Sequence, residues 1–94
     1  MGRSKLEMRV DILRALAYHG SLKLTHIMNR TNINCDLLKQ HLTFLTRFNL
    51  VNEQRLPKTR VIYTITARGS IVLDYVQKLN KIFLLTEDAQ TMLT

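Results

Sequence analysis

A chain of 94 residues has surface enough for one hydrophobic core, which argues for one small domain and against a large enzyme cleft. Its 46% hydrophobic and 22% charged residues, with one Pro and three Gly, describe an ordinary globular and mainly helical protein rather than a disordered one. Charge is the less ordinary feature: 14 Lys and Arg against 7 Asp and Glu give +7, and residues 1–81 hold all 14 basic but only five acidic groups, a net +9. Such a field attracts a polyanion, either nucleic acid or an acidic membrane surface. One cysteine excludes an internal disulfide framework and fits a reducing compartment. No run approaches the roughly 18 apolar residues of a membrane span, and the N-terminus has no apolar signal core. The expectation is a soluble, cytoplasmic protein that does not enter membranes.

The first helix is announced by Ser4 and Glu7, at the spacing of a capping box, and begins near Lys5. Leu6, Val10, Leu13 and Ala17 form one apolar row that Ile12 and Leu16 widen, while Arg9, Asp11 and Arg14 face away. Gly20 supplies the stop, because glycine tolerates the left-handed conformation beyond a helix C-terminus. Ser21 and Leu22 form a very short strand. Leu24, Ile27 and Met28 then mark a helix of about two turns, and Thr31 to Asn34 read as a polar turn.

Asn34 caps the third helix, with Asp36 placed for the dipole of its first turn. That helix buries Leu38, Leu42 and Leu45, keeps His41 and Phe48 at the margin, and leaves Cys35, Asp36, Lys39, Gln40, Thr43 and Arg47 on or near the open face. Asn49 occupies the exit, where Asn is the best substitute for Gly at positive φ. Two helices joined by so short a turn form a helix-turn-helix.

Val51 to Leu56 and Arg60 to Ile65 read as a β-hairpin around Pro57, Lys58 and Thr59. Arg55, Lys58 and Arg60 make its tip basic. Thr66 caps a fourth helix that tolerates Gly69 in its first turn and runs to about Leu85. Val72, Tyr75, Leu79 and Ile82 fall on a 3–4 spacing along it, with Val76 and Phe83 beside them. That seam either pairs two copies of the chain or folds back on the first helix to complete a monomeric core. Burying the four side chains between subunits would contribute roughly 6–10 kcal/mol before association costs, enough for a dimer. Residues 86–94 form a tail, either a short helix capped by Thr86 or a frayed end.

Helix, helix, helix, hairpin, helix is the order of a winged helix-turn-helix: a mainly α fold with a small β-hairpin, whose third helix enters the major groove and whose hairpin is the wing. The segment LKLTHIMNRTNINCDLLKQHLTFLTRFNLV, followed by the hairpin ending YTITARG and a long final helix, resembles the small archaeal winged-helix DNA-binding proteins. Those include transcriptional regulators and a chromatin-associated group whose C-terminal helices pair in an antiparallel coiled coil. The likeness covers about residues 4–84. Asn49 stands where the family usually has Gly, and a final helix ending near Leu85 is shorter than in the chromatin-associated members. The resemblance implies a dimer. Residues 4–65 would be the winged-helix core and 66–85 the dimerisation helix of one domain spanning 1–94.

On this reading Asp36, Lys39, Gln40 and Thr43 meet base edges: Gln suits adenine, Lys suits guanine, and an acid accepts from cytosine N4. Asn34 and Arg47 lie near phosphates at the helix ends. Arg55, Lys58 and Arg60 place a basic wing in or beside the minor groove, and Arg3, Lys5, Arg9, Lys23 and Arg30 are lesser backbone contacts. The competing reading is a solvated helix face and a hairpin edge protected by charge. Cys35, at a helix start, is either a redox-sensing thiol or a plain small residue. His19, His26 and His41 share no metal-ligand spacing. No paired carboxylates, activated nucleophile or phosphate-binding glycine loop is present, so neither enzyme nor cofactor is expected.

The expected function is sequence-specific binding of double-stranded DNA by a homodimeric transcriptional regulator, associated with the nucleoid. Two alternatives stand beside it. One is a non-specific chromatin or architectural protein, the other a winged helix that grips another transcription component through its last helix.

Overall fold

The computed structural model describes residues 3–58 and 60–93. Met1, Gly2, Thr59 at the expected hairpin tip and Thr94 at the end of the expected tail lie outside them. The elements are α1 (Lys5–His19), α2 (Leu24–Thr31), α3 (Cys35–Arg47), β1 (Val51–Leu56), β2 (Arg60–Ile65) and α4 (Ala67–Leu93). This is the mainly helical fold with one antiparallel hairpin that the order of caps, stripes and breakers implies.

Local chemistry sets the boundaries. Ser4 Oγ accepts from the Glu7 N–H at 3.0 Å and starts α1, and Gly20 ends it at φ 80°. Asn32 takes the left-handed conformation at the end of α2, with its N–H donating to the Met28 carbonyl at 2.8 Å. Asn49, at φ 60°, performs the same turn after α3. Asparagine is the side chain that reaches this region most readily after glycine, so Asn49 turns the chain here without one.

The core gathers Val10, Ile12, Leu13 and Leu16 from α1, Ile27 from α2, Leu38, Leu42 and Leu45 from α3, Val51 and Tyr63 from the hairpin, and Leu73 from α4. Two members of the expected α1 row are outside it. Leu6, one turn before Val10, is 62% exposed, and Ala17 is exposed too. Arg9 reverses its expected role. It faces α3 rather than solvent, with its guanidinium carbon 3.6 Å from the centroid of the Phe44 ring and its Nε–H donating to His41 Nδ1 at 3.2 Å.

The hairpin pairs Val51 with Ile65 through Leu56 with Arg60 in unbroken register. The expected strand at Ser21–Leu22 reduces to one bridge, Leu22 with Tyr63, whose two backbone hydrogen bonds measure 3.0 and 2.8 Å. Leu22 thereby ties the α1–α2 connection to β2.

The junction between α3 and α4 is equally specific. Thr66 Oγ1 accepts the Gly69 N–H at 2.9 Å as the α4 cap and donates to the Asn49 carbonyl at 2.7 Å. The Leu50 carbonyl accepts from Thr66 N–H at 3.1 Å. Gly69 is required here rather than tolerated, because a Cβ would stand 2.1 Å from the Leu50 carbonyl oxygen and 2.8 Å from Ile65 Cγ1.

The fourth helix runs on through Thr86 to Leu93, past the end expected near Leu85. Neither Gly nor Pro follows to stop it, and a Thr inside a helix costs only a few tenths of a kcal/mol. Its 27 residues span about 40 Å. The Cα radius of gyration is 15.4 Å, against roughly 12 Å for a close-packed chain of this length. Among the described residues, no helix is long and apolar enough to cross a membrane.

Candidate nucleic-acid interface

The cap of α3 is made by Asn34, whose Oδ1 accepts the Leu37 N–H at 2.9 Å. Asp36 follows in the first turn, where a carboxylate complements the positive end of the helix. Leu38, His41, Leu42 and Leu45 are buried, and that buried stripe fixes which face is left over. Asp36, Lys39, Gln40, Thr43 and Arg47 are all exposed, as is Asn34. The structure thus brings the whole sequence-derived set onto one open surface. Thr43 is more constrained than its neighbours, since its hydroxyl donates to the Lys39 carbonyl at 2.9 Å. That leaves its methyl group and the lone pairs of its oxygen for other contacts.

His41 is buried rather than marginal, at 3% exposure. Burial, then the positive charges of Arg9 and Lys5, hold its pKa below 6.5. The neutral ring uses Nδ1 to accept from Arg9, which puts its proton on Nε2, buried with no partner among the described residues. Arg9, His41 and Phe44 therefore clamp the back of α3 to α1.

Beside α3 stands the hairpin. Arg55, Lys58 and Arg60 are exposed, and Lys58 turns the tip at φ 66°. Arg55 pairs with Val61 and Leu56 with Arg60, and because successive strand residues alternate faces, Arg55 and Arg60 leave the hairpin on opposite sides. The two arginines bracket the tip rather than forming one patch.

Between α3 and the hairpin runs a groove of about 260 Å3 lined by Lys39, Leu42, Thr43, Thr46, Glu53 and Tyr63. Glu53 was not among the expected site residues. The Tyr63 hydroxyl donates to its Oε1 at 3.4 Å. Burial first, then the Glu53 charge and this hydrogen bond, raise the Tyr63 pKa above 10, with Arg55 opposing. An acid in a basic hairpin is the sequence signal, but nothing in the chain order says that it faces α3.

The chain matches the model of the winged helix-turn-helix family over residues 2–84. It belongs to that family. Among solved structures it is similar to Sso10a-2, a DNA-binding protein from Sulfolobus solfataricus, with a TM-score of 0.84 at 23% identity over 97% of this chain and 93% of that one. It is also similar to the YusO protein from Bacillus subtilis (TM-score 0.79, 21% identity), covering 88% of this chain and 64% of that one. A third likeness is to the reduced form of the transcriptional regulator YodB from B. subtilis, at TM-score 0.70 and 25% identity over 86% and 90% of the two chains. The chain thus spans nearly all of Sso10a-2 and under two thirds of YusO. No match was found among curated protein sequences.

As in the expected winged helix, α3 and the hairpin flank one surface, and α4 leaves the body beyond them. Leu73 is buried and Val76 packs against the core, so those two residues attach α4 to the domain. The expected seam stands apart: Tyr75 is 65%, Leu79 52% and Ile82 57% exposed, joined by Ile71 and Phe83. Val72 is half-buried. Ser70, Asp74, Gln77, Lys78 and Lys81 occupy the remaining arc, with Asp74 and Lys78 paired at 3.0 Å. Folding back on α1 therefore takes Leu73 and Val76 and leaves the seam uncovered.

Cys35 is half-buried at the first residue of α3. Among the described residues no three His, Cys, Asp or Glu side chains converge as metal ligands.

Proposed function

We propose that the chain is a DNA-binding transcriptional regulator that acts as a homodimer on the nucleoid. The observation that carries this reading is the single exposed surface shared by Asp36, Lys39, Gln40, Thr43 and Arg47, with the basic hairpin beside it. In this reading α3 enters the major groove. Gln40 reads adenine, Lys39 reads guanine and Asp36 accepts from cytosine N4, while the Thr43 methyl group packs on a thymine methyl. Asn34 uses its oxygen as the cap, so its amide N–H groups, together with the first backbone N–H groups of α3, meet a phosphate. Arg47 holds a phosphate at the other end, and Arg55, Lys58 and Arg60 straddle the backbone beside the minor groove.

The dimer forms through α4. Tyr75, Leu79 and Ile82 meet their counterparts, Val72 joins at the margin, and two α3 helices are presented to half-sites one or more helical turns apart. The long protruding helix with an uncovered apolar seam supports this arrangement, because water leaves so large an apolar stripe unfavourably exposed. Residues 4–65 are the DNA-binding part of one domain, and α4 is its dimerisation helix. DNA binding of this kind needs neither cofactor nor catalytic group.

The likeness to Sso10a-2, a DNA-binding protein, along nearly the full length of both chains fits duplex binding with or without a sequence preference, and the second reading is an architectural protein that binds duplexes without one. Selecting bound duplexes from random DNA at two salt concentrations separates the two. Enrichment of one short palindrome is the result for a regulator, and equal recovery of unrelated duplexes is the result for an architectural protein.

A further inference from the structure

A second groove opens away from α3, between α1 and the C-terminal end of α2, with a volume of about 410 Å3. Arg3, Asp11, Arg14, Tyr18 and Arg30 are the side chains along it that carry chemistry, and none of its lining residues belongs to α3 or the hairpin. Asp11, Arg14, Ala15 and Tyr18 recur at i, i+3, i+4 and i+7, one strip of a helix. Arg9, which meets α3, and Tyr18 are separated by about two and a half helical turns, so they leave α1 on opposite sides.

Three arginines and one carboxylate line this groove. Asp11 holds Arg3 at 2.9 Å and Arg14 at 3.1 Å through its two oxygens, and Arg3 also donates to the Asn32 carbonyl at 3.1 Å. These bonds orient two forks of donors but use only part of each, since a guanidinium carries five N–H groups. Arg30 brings the third from α2. Beside them Tyr18 is 83% exposed, touching His19 in an edge-to-face contact with ring centroids 4.7 Å apart. An open aromatic ring next to pre-oriented guanidiniums is the pairing that takes an unstacked base with its phosphate. A duplex offers phosphates but keeps its bases stacked, so it cannot use the ring.

We propose that this groove is a second nucleic-acid site, which binds a phosphate-linked nucleobase with Arg3, Arg14 and Arg30 on the phosphate and Tyr18 stacked on the base. The chemistry is shared by a free nucleotide and by a single strand. An acidic peptide would satisfy the guanidiniums but not the ring.

The test titrates the full chain with a fluorescent thymidine oligonucleotide and, separately, with AMP, and compares both with duplex DNA. Tyr18→Ala should weaken strand or AMP binding roughly tenfold, with Tyr18→Phe near wild type and the Arg14→Gln, Arg30→Gln pair weakened as well. Duplex affinity should stay unchanged in Tyr18→Ala, which separates this site from the α3 surface whatever that surface binds. Sensitivity of AMP identifies the free nucleotide as ligand, and sensitivity of the strand alone identifies single-stranded nucleic acid. Strand and AMP affinities untouched by Tyr18→Ala would overturn the proposal.

Discussion

Arg9 Nε–H on α1 donates to His41 Nδ1 on α3 at 3.2 Å, while the same guanidinium lies 3.6 Å above the Phe44 ring. This is a neutral-imidazole arrangement, since a protonated His41 would have no lone pair to offer and would stand against Arg9 and Lys5. The folded pKa of His41 is below its unfolded value of about 6.5. Its share of the stability is therefore intact above pH 6.5 and declines as pH falls from there toward the lowered value, because the unfolded chain takes up a proton that the folded chain resists. Urea unfolding at a series of pH values between 8 and 5 should show this decline, and His41→Leu should flatten it. An unchanged pH slope in His41→Leu would exclude the Arg9–His41 contact as its source.

Gly69→Ala tests the crossing of Leu50 over the first turn of α4. The added Cβ meets a backbone carbonyl, which cannot swing aside as a flexible side chain would. A loss of about 1–3 kcal/mol is expected, read as a lower urea midpoint at constant m. Gly20→Ala meets no atom within 4 Å, so any loss there comes from its φ of 80° alone.

Much of this architecture is legible in the sequence because its boundaries are set by short-range chemistry. Ser4, Asn34 and Thr66 cap helices, Gly20 and Asn49 turn the chain, and a change of period marks the hairpin. The misreadings are tertiary. Arg9 lies on the α1 face that α3 covers, and a charged side chain is read as outward until the aromatic ring beneath it is known. Leu6 has the right spacing for the core but stands one turn ahead of Val10, the first α1 residue in it. Gly69 reads as a weak helix residue because the approach of Leu50 depends on how β1 leaves α3. For the candidate site, the exposed set on α3 follows from its buried stripe, whereas Glu53 and Tyr63 join it only through the register of the sheet.

Asn34→Asp separates the two roles given to the α3 cap. Asp caps as well as Asn, so stability should stay within a few tenths of a kcal/mol. A carboxylate in place of the amide would repel a phosphate at that point, and duplex affinity should fall roughly tenfold if one charge-assisted contact becomes repulsive. Equal duplex affinity for both proteins would remove Asn34 from the interface.

Leu79→Glu addresses the seam. Leu79 is more than half exposed in the single chain, so the substitution should leave far-ultraviolet circular dichroism unchanged. Within a dimer it would bury a carboxylate against its own counterpart, which is strongly unfavourable. Sedimentation equilibrium should give a monomer for Leu79→Glu and a dimer for the wild type. A wild-type monomer at micromolar concentration would refute pairing through α4.

If the face of α3 and its hairpin bind the DNA backbone and bases, duplex affinity must depend steeply on salt. With about six phosphates contacted, log K against log salt should fall with a slope of roughly −5. Replacing Lys58 by Asn, which keeps the left-handed turn, together with Arg60→Gln should make the slope shallower by roughly two and weaken all duplexes alike. Gln40→Ala should instead change which duplexes are preferred. Absence of duplex binding at low salt, or a slope unaltered by the hairpin substitutions, would show that α3 and its hairpin are not a DNA-binding face.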